Sequence, residues 1–269
     1  MIAILRSIFL GIIQGLTEFL PVSSSAHLNI MPWLFNWSDI SESFDLALHT
    51  GTLLAILIYF IKDWIDLIKG GFNSIFKKEK STSGNLFWYI VIATIPAGVV
   101  GKLLENVIEG FIDDRKNIEM MVISVALIVM GIILFIVDKK AKATSSLKDM
   151  TFLQSFLIGF SQALAGAIPG VSRSGITMTV ARSIGLDREA SAKYSFLLSA
   201  PMVAGAVLLS IKEFTFNGAF IAGVLASFIS GLLVIKFLMH FLKKCSFKVF
   251  AIYRVVFGLF ILITAITRL

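Results

Sequence analysis

One cysteine, Cys245, is too few for an internal disulfide, so the chain carries no covalent staple and no sign of its redox compartment. Charge is also scarce. Asp, Glu, Lys and Arg make up 15% of the 269 residues, against about 25% in a soluble domain. No basic patch interleaved with aromatic residues occurs, and no nucleic-acid motif, so the net charge of +7 is read as a sign of loop orientation, not of a nucleic-acid partner. What fills the chain instead is apolar: 57% of residues are hydrophobic and the mean hydropathy is +0.89. Several stretches approach the roughly 20 residues that cross a bilayer. The class that follows is an all-α integral membrane protein, a single membrane domain over 1–269.

Six segments read as full transmembrane helices, at about 44–61, 86–104, 118–137, 190–211, 217–235 and 249–268. Two more, 2–27 and 151–175, are apolar but broken by Pro21 and Pro169. Lysines crowd three connections: Lys62, Lys69, Lys77, Lys78 and Lys80 in 62–85; Lys139, Lys140, Lys142 and Lys148 in 138–150; Lys236, Lys243, Lys244 and Lys248 in 236–248. The stretch 105–117 is acidic, with Glu105, Glu109, Asp113 and Asp114 against Arg115 and Lys116. The positive-inside rule places the lysine-rich connections in the cytoplasm and the acidic one outside. Arg182, Arg188 and Lys193 belong inside as well. Segment 151–175 must then leave the cytoplasm and return to it, as a re-entrant hairpin. Both termini fall outside. Arg6, an apolar run and the small residues Ser23–Ala26 imitate a signal peptide, but Arg6 lies within the run and the pattern recurs internally, so the segment is read as part of the fold.

That recurrence is the most informative feature. Leu5, Ser7, Gly11, Gln14, Leu16, Pro21 and Ser24 reappear as Leu153, Ser155, Gly159, Gln162, Leu164, Pro169 and Ser172, all at an offset of 148. By this repeat 2–27 is a re-entrant hairpin too. The halves are 1–148 and 149–269, each one hairpin and three spans, and an odd number of spans inverts the second half. Inverted repeats whose broken helices meet near the midplane build polar sites inside membranes. Gly11 with Gly15, and Gly159 with Ala163, are spaced for close helix contact and are read as ordinary packing.

The polar residues gather at the breaks. Gln14 and Glu18 lie one helical turn apart, and a carboxylate inside an apolar segment marks function by default. Pro21, Ser23, Ser24, Ser25 and His27 follow. Together they offer an acid, hydroxyls and an imidazole, groups suited to acid–base and nucleophilic chemistry. The second break reads Pro169-Gly170-Val171-Ser172-Arg173-Ser174-Gly175-Ile176-Thr177. Its glycines permit a tight backbone, the helix start beyond it suits an anion, and Arg173 offers a planar fork for phosphate oxygens. The two tips together hold the inventory for phosphoryl transfer. Asp45 and His49, one turn apart on the next span, could reach the site from behind but are assigned a structural role, and His240 a solvated cytoplasmic one.

QGLTEFLPVSSSAH (14–27) and PGVSRSGIT (169–177) closely resemble the two signature regions of the bacitracin-resistance family, the undecaprenyl-pyrophosphate phosphatases. Length, span pattern and repeat are similar along the whole chain. The resemblance implies removal of the terminal phosphate from a C55 polyprenyl diphosphate, a divalent cation (Mg²⁺ or Ca²⁺), and a site opening on the outer face of the bacterial cytoplasmic membrane. The family's first motif is Glu or Gln, three residues, then Glu, and maps onto Gln14 and Glu18; Gln removes one negative charge from a metal site. Its serine-rich stretch maps onto Ser23 and Ser24 and its histidine onto His27, with Ala26 where glycine is frequent. Its second motif maps onto Pro169, Gly170, Ser172, Arg173, Ser174 and Thr177.

The expected division of labour follows. Glu18 and Gln14 hold the cation. Ser23, Gly170, Ser172, Arg173, Ser174 and Thr177 bind the diphosphate. The nucleophile is Ser24 with His27 as its base, His27 oriented by Ser24, or a water activated by His27. A flippase or transporter of the same architecture would not need this set of Ser, His, Arg and Glu. The acid-phosphatase-like lipid phosphatases use two spaced histidines and a Lys/Arg-Pro motif, and no Arg-Pro pair occurs here. The partners expected are the polyprenyl diphosphate and the lipid bilayer. Prenyl length preference, flipping of the carrier and homodimer formation are left open by the sequence.

Overall fold

The computed structural model describes residues 1–109 and 116–268, the side chains of 105–109 excepted. The acidic stretch formed by Glu105, Glu109, Asp113, Asp114 and Arg115 lies outside the residues described with side chains. Eleven α-helices and no strand occur among the described residues: α1 (Ile2–Phe19), α2 (Ser24–Phe35), α3 (Glu42–Tyr59), α4 (Ile61–Phe76), α5 (Thr82–Glu109), α6 (Lys116–Lys140), α7 (Phe152–Ala167), α8 (Arg173–Ser183), α9 (Arg188–Ser210), α10 (Gly218–Phe241) and α11 (Lys248–Thr267). Polar caps start several of them. Asp187 accepts from the Ala190 amide at 2.7 Å and Asn217 from that of Phe220 at 2.9 Å.

Helices α1, α5, α6, α9, α10 and α11 are long and apolar enough to cross a membrane, and α3 joins them if it is taken with α4. Their outward faces are apolar. On α10, Ile221, Leu225, Ile229, Leu233 and Phe237 recur every fourth residue and are all exposed. A soluble surface does not sustain such a stripe, whereas lipid solvates it. The protein is therefore a multi-pass membrane protein.

The segment 62–85 differs from the lysine-rich connection expected. Most of it is α4, bent by 79° from α3. Ile61, Ile65, Ile68, Phe72 and Ile75 form an exposed apolar stripe at helical spacing, with Lys62 and Lys69 off it. An apolar stripe with lysines beside it is the pattern suited to the plane of a membrane interface. The lysines alone conceal this periodicity.

Helices α1 and α2 fold as a hairpin whose ends meet. Arg6 donates to the Ser38 hydroxyl at 3.0 Å, and Phe9 packs edge-on against Phe35. The start of α6 and the end of α11 gather at this same end of the bundle: Trp33 donates to Asn117, and Asn117 donates to the Arg268 carbonyl. Helices α7 and α8 form the second hairpin, where the Gln154 amide donates to the Ile184 carbonyl at 3.4 Å. Its ends lie at the opposite end of the bundle, with the C-terminus of α6 and the N-terminus of α11. The halves interlock: α1 packs on α10 and α7 on α5, while α6 pairs with α11 and α3 with α9. The small residues serve these contacts. A Cβ on Gly15 would meet Ser230 Oγ of α10, and one on Gly159 would lie 2.5 Å from Ala93 Cβ of α5.

At the second hairpin's open end, buried Asp138 joins four elements. One carboxylate oxygen accepts from Arg182 Nε at 3.0 Å and Arg188 Nε at 2.8 Å, the other from the Phe247 amide at 3.1 Å. Asp138→Asn leaves the buried Arg182 without a counter-ion. It should cost about 3–5 kcal/mol, read as a lower melting temperature in detergent.

Candidate active site

Each hairpin is broken at a serine with a left-handed backbone. Ser23 has φ 77° and Ser172 φ 74°. Each caps the helix that follows: Ser23 Oγ accepts from the Ala26 amide and Ser172 Oγ from the Gly175 amide. Each also contacts the serine two residues on, Ser25 and Ser174. Non-glycine residues held at positive φ cost about 1–3 kcal/mol and cluster at functional sites. The pairing of Ser24 with Ser172 inferred from the fixed offset is corrected here. Ser23 matches Ser172 and Ser24 matches Arg173, because Gly170 (φ 94°) adds one residue to the second break. The Ser24 hydroxyl of one half and the Arg173 guanidinium of the other thus occupy equivalent positions.

The two tips touch. Ser174 Oγ donates to the Leu20 carbonyl at 3.1 Å. Arg173 Nη2 reaches Glu18 Oε1 at 2.7 Å, across 155 residues of chain. The other Glu18 oxygen accepts from Ser24 Oγ at 2.6 Å and from the Gln14 amide at 3.2 Å. Arg173 Nη1 donates to the Ser195 carbonyl on α9 at 3.1 Å. Thr177, fully buried, bonds the Arg173 carbonyl and the Ser195 hydroxyl, so it braces the arginine from below.

His49, assigned a structural role from the sequence, belongs to this cluster. Its Nδ1 lies 3.0 Å from Gln14 Nε2 and 3.7 Å from Glu18, and its Nε2 is 3.7 Å from Asp45. Since the amide nitrogen donates, Nδ1 accepts and the imidazole proton sits on the Asp45 side. His49 and Asp45 are partly exposed, Arg173 and Ser24 half-buried, so this side of the cluster faces the way in. Ser195 carried no sequence signal. His240 is exposed, as assigned.

His27 is held elsewhere. Its Nδ1 lies 2.7 Å from the Ser23 carbonyl and must donate to it, which leaves Nε2 to accept from Tyr253 Oη at 2.7 Å. The ring stacks 4.8 Å from Phe257 and is buried. Ser24 directs its hydroxyl to Glu18, not to this imidazole. The hydroxyls of Ser23, Ser172, Ser174 and Thr177 are likewise buried and engaged in bonds that shape the tips. Gly170 packs on the Ile123 carbonyl.

A divalent cation fits the donor set. Gln14 Oε1 is buried without a hydrogen-bond partner, beside the Glu18 carboxylate. Among the described residues no three His, Cys, Asp or Glu side chains form a protein-only cage. Mg²⁺ is commonly held by one or two carboxylates with substrate phosphates completing the shell, and one carboxylate with one amide oxygen suits that mode.

Compared with known proteins, residues 7–260 match the family described as bacitracin resistance protein BacA. The chain belongs to this family. Among BacA relatives, one from Caldicellulosiruptor bescii is 49% identical over 254 residues, covering 93% of this chain and 92% of its own. One from Pelotomaculum thermopropionicum is 45% identical over 268 residues and 98% of both chains. A more divergent relative from Thermomicrobium roseum keeps 38% identity over 265 residues, 94% of this chain and 95% of its own. All three are named undecaprenyl-diphosphatase. The BacA match spans both breaks, so the ion pair joining them lies wholly within the family's matched region.

Proposed function

We infer that this chain hydrolyses undecaprenyl diphosphate to undecaprenyl phosphate and inorganic phosphate, recycling the lipid carrier of cell-wall synthesis and so conferring bacitracin resistance. The observation that carries this reading is the Glu18–Arg173 contact at 2.7 Å, with Ser24 on the same carboxylate. It joins a nucleophile, a proton acceptor and a phosphate-binding cation in one cluster. Membership of the BacA family supports the substrate.

Arg173 commits two of its five N–H donors to Glu18 and Ser195; the rest are available to the terminal phosphate. Ser24 Oγ attacks that phosphorus and passes its proton to Glu18. The bond from phosphorus to the bridging oxygen breaks, and undecaprenyl phosphate leaves with the bridging electron pair. Water then attacks the phosphoserine, inorganic phosphate departs, and Glu18 returns the proton to Ser24. Arg173 stabilises the charge that builds on the transferring group. Glu18 and Gln14 Oε1 would hold the divalent cation, Mg²⁺ or Ca²⁺, whose chemistry there would be to offset charge on the diphosphate. His27 serves this scheme by fixing the first tip through the Ser23 carbonyl.

The membrane is the bacterial cytoplasmic membrane, with the lysine-rich end inside and both termini outside. The two hairpins enter as re-entrant elements from opposite faces, a placement supported by their ends meeting at opposite ends of the bundle. Asp45 and His49 lie in the first turns of α3, at the end assigned to the outside, so the site opens outward. The test is phosphate release from undecaprenyl diphosphate by purified protein, with and without chelator. Turnover that falls on chelation and returns with Mg²⁺ or Ca²⁺ fits the reading. No release under either condition contradicts it.

A further inference from the structure

Among the described residues Arg254 is the largest side chain with essentially no exposure, and it lies in the first half of α11. Among the described residues no carboxylate comes within ion-pair distance of it. Its guanidinium is satisfied by backbone carbonyls alone. Nε donates to Leu127 at 3.2 Å and Nη1 to Pro21 at 3.1 Å; Nη2 donates to Gly170 at 2.8 Å and to Val171 at 3.1 Å. Three of these four carbonyls belong to the two breaks. A broken helix leaves carbonyls without helical partners, and within a bilayer they must find donors in the protein. One side chain supplies donors to both breaks at once. The surroundings leave room for it: a Cβ on Gly175 would lie 2.8 Å from Arg254 Nη1, and one on Gly131 would lie 3.0 Å from Arg254 Cβ.

We propose that Arg254 is the positioning residue of this active site, holding the tip that carries Glu18 and Ser24 in register with the tip that carries Arg173. It touches no reacting atom. The Pro21 carbonyl lies three residues after Glu18, and the Val171 carbonyl two before Arg173, so the geometry of the 2.7 Å contact between the halves is set from behind by the Arg254 fork. The geometry needs a planar group with donors on three nitrogens; an ammonium on a flexible stem serves one break and abandons the other. The inference rests on the site reading above.

The test measures kcat and KM on undecaprenyl diphosphate, with melting temperature in detergent, for Arg254→Met, Arg254→Lys and Arg173→Ala. A misplacement of about 1 Å can cost about 100-fold in rate. Arg254→Met should lose about that much in kcat, with KM within a few-fold of wild type because tail binding is untouched. Arg254→Lys should recover part of the loss, and it decides the matter where Arg254→Met does not accumulate. Wild-type kcat in a folded Arg254 variant overturns the proposal, as does a loss confined to KM. Arg173→Ala separates the two readings. If it turns over normally, the site reading itself fails. If it is inactive while Arg254→Lys matches wild type, only this inference fails.

Discussion

Arg173→Ala is expected to lower kcat for undecaprenyl diphosphate by about 10³- to 10⁵-fold, the range seen when an arginine that stabilises phosphoryl transfer is removed. Two features of the structure argue for the upper part of that range. Arg173 pairs with Glu18, the carboxylate that also accepts from Ser24, and it is braced by the Ser195 carbonyl and by Thr177, so it is aimed before substrate arrives. Its loss also strands the buried Glu18 carboxylate. Arg173→Lys should restore little, because a point charge cannot hold the Ser195 carbonyl and fork a phosphate together. Phosphate release by folded variants measures this; turnover within tenfold of wild type contradicts the assignment.

Ser24→Ala should be nearly as severe, with a loss of about 10⁴- to 10⁶-fold in kcat, since removing a nucleophile disables the groups that act with it. The 2.6 Å bond to Glu18 supports the proposed role of that carboxylate as proton acceptor. On this account His27→Phe, which keeps the stack against Phe257 but loses both hydrogen bonds, is much the milder change. It moves the Ser23 turn without removing a proton carrier. A trapped phosphoserine at position 24 after rapid quench would be direct support. A Ser24→Ala enzyme within 100-fold of wild type would transfer the attack to water.

Much of this was legible in the sequence because lipid enforces simple patterns. Six long apolar runs become helices, and the two proline-broken repeats become hairpins that meet tip to tip. Glu18 and Arg173 stood out since charge is costly at that depth. The same logic applied to Arg254, the one charged residue in 249–267, but its role depends on carbonyls supplied by three other segments, which no spacing reveals. Helix α4 was hidden because its lysines obscure the stripe from Ile61 to Ile75. The register slip at Gly170 escaped because most repeat identities lie before the insertion, so a fixed offset fitted them well. His49 sat one turn from Asp45 in a pattern equally suited to packing; only the approach of α3 to α1 brings it to Gln14.

The central claim is that the two halves of the chain contribute to a single site. Its most direct measurement is kcat for Glu18→Gln, Arg173→Ala and the double variant, each checked for folding. Residues that act as one unit are strongly non-additive. The account predicts that each single change costs at least about 10³-fold and that the double variant is no slower than the worse single one. Losses that multiply in the double variant, or a Glu18→Gln enzyme with normal turnover, would mean that the two tips act separately.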